Sequence, residues 1–91
     1  MLEILFGFFI KINESNINLI KVLEISENSL IIVGNRLNEN LNGEIVLIKL
    51  TKNGNVIFSK SIYSNSYIQS ADMVYKDGKV YIIGTVFIQN E

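Results

Sequence analysis

Oxygen ligands crowd one short stretch of the chain, Asn38-Glu39-Asn40-Leu41-Asn42-Gly43-Glu44. Oxygen-bearing side chains at alternating positions ahead of a glycine are what a hard cation such as calcium needs, because the glycine permits the sharp turn around the ion. The stretch departs from that pattern twice. Asn38 stands where the first carboxylate belongs, and Lys49 stands where a bidentate Glu would close the site. It is therefore read as a polar connector, and no metal is expected there.

Carboxylates in pairs are the next candidates, since two of them across a glycosidic bond can act as acid and as base or nucleophile. Glu24, Glu27, Asp72 and Asp77 are the plausible members. Asp77 precedes Gly78, and an acidic residue beside Gly is the ordinary content of a turn. Glu24 and Asp72 fall beside strand positions that should reach solvent, where shifted pKa values are hard to maintain. Catalysis by any of these pairs is not expected. Tyr63 and Tyr67 lie in the Asn/Ser-rich stretch 61–70 and are the candidate surface pair for stacking on a sugar or peptide. Tyr75, Tyr81, Phe58 and Phe87 suit the filling between packed sheets. Asn13-Glu14-Ser15 is a formal glycosylation sequon, and no G-x-G-x-x-G or Walker pattern offers a phosphate cradle.

The absences reinforce this. The 91 residues include no His, Cys, Trp or Pro. Without His the usual general base near neutral pH and the commonest metal ligand are missing. Without Cys there is no thiolate chemistry and no disulfide frame. The chain is therefore not expected to be an enzyme or to need a cofactor. Eight basic and nine acidic residues give a net charge of −1, with no basic block to neutralise a phosphate backbone, so nucleic-acid binding is not expected. Nor is membrane insertion: the apolar stretch before Lys11 is too short to span a bilayer, and it lacks the basic start and small-residue cleavage site of a signal. A buried strand is the expectation there.

Any site must be held by strands. Ile and Val supply 23 residues and Ala only one, a bias that favours strand over helix. The apolar runs are short: Phe6–Ile12, Leu19–Ile25, Leu30–Val33, Ile45–Leu50, Val56–Tyr63, Met73–Tyr75 and Val80–Ile88. Asn, Gly, Asp and Ser separate them, as between strands. Asn53-Gly54 and Asp77-Gly78 predict hairpins, because these residues supply the positive φ angles of tight turns. Leu30–Val33 and Ile45–Ile48 are apolar at every position, which predicts strands covered on both faces.

Sliding the chain by fifty residues places Gly34 on Gly84, both read as strand-ending, and Leu30–Val33 on Val80–Ile83. The same shift puts Phe8 on Phe58, Ile12 on Ile62, Leu23 on Met73 and Glu27 on Asp77. Only five of the 36 overlapping pairs are identical, so the weight rests on the shared order of strands, turns and glycines. Fifty residues holding four strands is the size of one propeller blade. The segments 54–62, 77–84 and 45–50 resemble bacterial β-propeller repeats. In those a hydrophobic-Lys-Leu, turn, Gly-Asn hairpin alternates with an Asp-Gly, apolar run, Gly strand. Phe58 stands where that family often has Trp. Kelch repeats share the period but typically carry paired glycines and a Trp, and they rank lower.

The resemblance implies an all-β, partial β-propeller of just under two four-stranded antiparallel blades. Residues 1–91 would be one repeat-built region, with a first unit at 6–55 and an incomplete second at 56–91. The function expected is a non-catalytic scaffold or binding surface for protein or glycan. Two alternatives stand beside it: a truncated or split piece of a larger propeller without activity of its own, and an enzyme propeller whose catalytic residues lie on other blades. Expected partners are further copies or further blades, because apolar edges without Pro or clustered Lys invite pairing. The compartment is left open by the sequence.

Overall fold

In the computed structural model of the chain, the structure describes residues 2–5, 9–12, 17–37, 42–64 and 66–87. Every regular element among them is a strand. They are β1 (Leu2–Leu5), β2 (Phe9–Ile12), β3 (Asn18–Ser26), β4 (Ser29–Leu37), β5 (Gly43–Thr51), β6 (Val56–Ile62), β7 (Tyr67–Lys76) and β8 (Lys79–Phe87). All pairing is antiparallel between sequence neighbours, in three sheets: β1-β2, β3-β4-β5-β6 and β7-β8. The fold is all-β and antiparallel.

The opening segment differs from expectation. Two four-residue strands, with Leu2 opposite Ile12 and Leu5 opposite Phe9, replace the single strand that its mostly apolar stretch suggested. An apolar run carries no period of its own and so does not show where the chain reverses.

The four-stranded sheet is covered on both faces, as the all-apolar runs of its two central strands require. Alternate residues of β4 and β5 point to opposite sides. Leu30, Ile32, Val46, Ile48 and Leu50 form one buried cluster, with Ile17 and Val22 packed against it. Ile31, Val33 and Ile45 point the other way and enclose Met73 of β7, with Ile68, Val80 and Ile82 beside it. Met73 and Leu30 have no exposed surface at all. The β7-β8 hairpin is thus a second layer laid on one face of the sheet.

Turn chemistry fixes the connections. Asp77 and Gly78 both have positive φ, 54° and 77°, so Lys76 pairs directly with Lys79 across a two-residue loop whose twist matches the strands. Gly54 has φ 90°, and its N–H donates to the Thr51 carbonyl at 3.0 Å. At the third turn Ser26 and Ser29 share a 2.6 Å hydroxyl contact and the Ser26 hydroxyl accepts from the Asn28 N–H. Glu27 is not among the residues with positive φ, so it and Asp77 shape different turns.

Gly34 and Gly84 lie inside β4 and β8, not at strand ends. Each sits opposite a bulge in the neighbouring strand. Gly34 pairs with Leu19 just before the shift between Leu19 and Lys21, and Gly84 pairs with Ser70 just before the shift between Ser70 and Asp72. A Cβ on Gly34 would strike the Ile17 side chain and the Asn18 carbonyl, and one on Gly84 would strike the Gln69 carbonyl. Glycine is required because the bulged backbone passes where a side chain would stand.

The two hairpins differ from a fifty-residue offset by one residue over most of their length. Val22, not Leu23, holds the position of Met73, for Val22 pairs with Ile32 as Met73 pairs with Ile82. A second irregularity in β3, between Glu24 and Ser26, absorbs the extra residue before the turn.

Candidate functional site

At the end of the sheet where β4 leaves and β5 enters, β7 crosses over both. The crossing is fastened by Asn35 acting as a piece of strand. Its Oδ1 accepts from the Ser70 N–H and the Ser70 hydroxyl, both at 2.7 Å, while its Nδ2 donates to the Ser70 carbonyl at 3.0 Å. Ser70 is 2% exposed, so these bonds satisfy groups that water barely reaches. Next along β4, Arg36 donates to the Glu44 carboxylate at 2.7 Å and to the Ser61 hydroxyl at 3.1 Å, tying β4 to β5 and β6.

Tyr67, the first residue of β7, sits against Gly43. A Cβ there would meet both the Tyr67 ring and the Ile68 carbonyl, so Gly43 makes room for the ring. Phe87 meets Tyr67 edge-to-face with centroids 5.5 Å apart and an interplanar angle of 72°, which orients the ring. Tyr67 then borders an open cleft of about 230 Å³, lined also by Asn18, Asn35, Arg36, Leu37 and Gln69. The amides of Asn18 and Gln69, a guanidinium group and a phenol around an aromatic face suit a neutral polar ligand. Amides both donate and accept, and a ring can stack on an apolar sugar face or on a peptide plane.

The structure places the other sequence candidates apart from this cleft. Tyr63 is 70% exposed and does not line it. Glu24 is bound to Lys52 at 2.6 Å, and Asp72 to Lys21 at 2.8 Å. The Lys21 hydrogen bond, followed by one from the Met73 N–H, holds the Asp72 carboxyl below its ordinary value of 3.8. That shift favours a structural anion over a proton donor. Among the described residues no three Asp or Glu gather as a metal would require. Residues 38–41 of the polar connector, and the Asn13 sequon, lie outside the described residues. Among the described residues no helix is long and apolar enough to cross a membrane.

Sequence reasoning picked out Tyr67 by its company of Asn and Ser. It missed Asn18, Asn35 and Gln69, which belong to three strands and meet only through the crossing. Nothing in the residue order marks that crossing. No protein-family model, curated protein or solved structure matches the chain.

Proposed function

We propose that the chain is a piece of a β-propeller-type repeat, just under two blades, and serves as a non-catalytic scaffold whose Tyr67 cleft binds a glycan or a peptide. One observation carries the repeat reading: β3-β4 and β7-β8 share a mid-strand glycine, a bulge opposite it and two apolar pairs on the turn side of it, Val22↔Ile32 and Leu23↔Ile31 in one, Met73↔Ile82 and Val74↔Tyr81 in the other. Two unrelated hairpins would have no reason to agree in all three. On this reading β3-β4-β5-β6 is one four-stranded blade, and β7-β8 supplies the first two strands of the next. That sheet runs from Asn18 to Ile62 and so crosses the boundary between residues 55 and 56 that the fifty-residue period suggested.

The binding half of the proposal rests on the cleft's donors, acceptors and ring. Its test is a glycan and peptide array probed with the chain and with Tyr67→Ala. The proposal expects a hit that is lost in the variant while near-UV circular dichroism shows that the variant still folds. A hit unaffected by Tyr67→Ala places binding elsewhere.

A second reading, a split piece of a larger propeller without independent activity, is favoured by the apolar surface of β8. Tyr81, Ile83, Val86 and Phe87 are each about half exposed. An empty array together with continued fifty-residue repeats in the neighbouring coding sequence would select it.

A further inference from the structure

The cleft beside Tyr67 lies on a seam between two layers. Asn18, Asn35, Arg36 and Leu37 belong to β3 and β4, whereas Tyr67 and Gln69 belong to β7. The layers share no strand pairing: β7 pairs with β8 alone, from Tyr67↔Phe87 to Lys76↔Lys79, and none of β3 to β6 joins that sheet. Side chains fasten them instead. Asn35 bonds the backbone and hydroxyl of Ser70, the Lys21 Nζ donates to the Asp72 carboxylate at 2.8 Å, and Met73 enters the face of Ile31, Val33 and Ile45.

Each of these contacts has its sheet half before residue 63 and its hairpin half after residue 66. The connection between the halves, from the end of β6 at Ile62 to the start of β7 at Tyr67, is four residues long. Tyr63 is 70% exposed, and the hydrogen bonds of Ser64 and Ser66 are to each other, at 3.0 Å. Turning this connection outward leaves the ladders of both layers whole. It does uncover Ile31, Val33, Ile45 and Met73, none of them more than 3% exposed when the hairpin is docked. Giving that apolar surface to water is unfavourable, so a hairpin that leaves must dock again. Its own sheet and the sheet of a second copy offer it identical contacts, and a short connection favours the second.

We propose that β7-β8 is exchangeable: as concentration rises, two copies trade hairpins and close into a two-fold dimer, each hairpin seated on the other copy's sheet. Each cleft then takes Asn18, Asn35, Arg36 and Leu37 from one chain and Tyr67 and Gln69 from the other. The contacts already made select this occupant. Asn35 matches both the donors and the carbonyl of Ser70, Lys21 carries the charge opposite to Asp72, and Met73 fills the Ile31–Val33–Ile45 face. The hairpin that fits this surface is therefore the chain's own. Monomer and dimer share that interface, so concentration and the connection set the balance between them. The exchange does not depend on the blade reading, and it stands whether or not the cleft binds a ligand.

The experiment mixes two full-length variants, Lys21→Glu and Asp72→Lys, unfolds them together in urea and refolds them at high protein concentration and low salt. Alone, each variant faces like charges across the seam, whether its hairpin docks at home or on an identical copy. When the two variants trade hairpins, Asp72 of the first meets Lys21 of the second, and the introduced lysine meets the introduced glutamate. Native mass spectrometry should then find the two-chain species of mixed composition in about tenfold excess over either uniform one, since two contacts change sign at once. A random mixture of the three compositions, or monomers alone, overturns the proposal. If near-UV circular dichroism shows that either variant fails to fold, wild type answers the same question. Its dimer, refolded from equal parts of isotope-labelled and unlabelled chain, should show NMR contacts from the Met73 methyl of one chain to Val33 of the other. Contacts confined to one chain, or a wild type that forms no dimer, overturn it.

Discussion

Gly84 offers the sharpest quantitative test of the packing. Gly84→Ala adds a single methyl group, and that methyl meets the Gln69 carbonyl oxygen at less than van der Waals distance, with the Ser70 Cα and the Gln69 carbonyl carbon at 3.3 Å. All three are backbone atoms of a bulge pinned by the Asn35 bonds, so relief requires moving β7 relative to β8. Forcing one extra carbon into a well-packed place costs about 1–3 kcal/mol, and rigid surroundings put this case at about 2.5. Gly78→Ala is the internal control. Nothing stands within 4 Å of its Cβ, so only the φ of 77° resists, at about 1 kcal/mol. Urea unfolding of a chain this size has a slope near 1.2 kcal/mol/M, so the midpoints should fall by about 2 M and by somewhat under 1 M respectively. Equal shifts in the two variants would refute the claim that backbone proximity, and not φ, makes Gly84 necessary.

Asn35→Ala should cost about 1–3 kcal/mol in the same assay, because it strands the buried N–H, hydroxyl and carbonyl of Ser70; a shift below 0.5 would mean that water replaces the bonds. Gly54→Val should cost about 1–3 kcal/mol, since a β-branched residue resists the φ of 90° found there; an unchanged midpoint would show that the turn relaxes. Asp72 has its pKa depressed in the fold, so its pairing contributes stability above its ordinary value near 3.8 and loses it as pH falls through the lower folded value. Asp72→Asn should therefore narrow the difference between urea midpoints at pH 7 and about pH 3, and an unchanged difference would remove Asp72 from the acid response.

Strand type and the two sharpest turns were legible because they depend on local chemistry. β-branched runs disfavour helix, and Asp77-Gly78 can supply two positive φ angles in a row. The doubly buried centre was legible for a similar reason, as Leu30–Val33 and Ile45–Ile48 offer no polar face for water. The bulges were not. Each adds one residue to a strand without marking it by type, and the one between Glu24 and Ser26, which β7 lacks, is why an offset of fifty placed Leu23 where Val22 belongs. Gly34 looked like a strand end because glycine usually breaks a strand, yet here it stays inside one where the bulged backbone passes too close for a side chain. The cleft was legible only through Tyr67. Asn18, Asn35 and Gln69 converge because β7 crosses the end of the sheet, and that crossing depends on Met73 entering the Ile31–Val33–Ile45 face. Tyr63 shares Tyr67's sequence surroundings but has no crossing strand to seat it, and it remains on the surface.

The blade reading is tested most directly by a crystal structure of the protein as it assembles in solution. The account predicts that β3-β4 and β7-β8 superpose with Gly34 on Gly84 and Val22 on Met73, and that every β7-β8 hairpin is completed to four strands within a ring of stacked sheets. A monomeric two-layer sandwich, with the β8 edge open to solvent and the two hairpins diverging at their bulges, would contradict it.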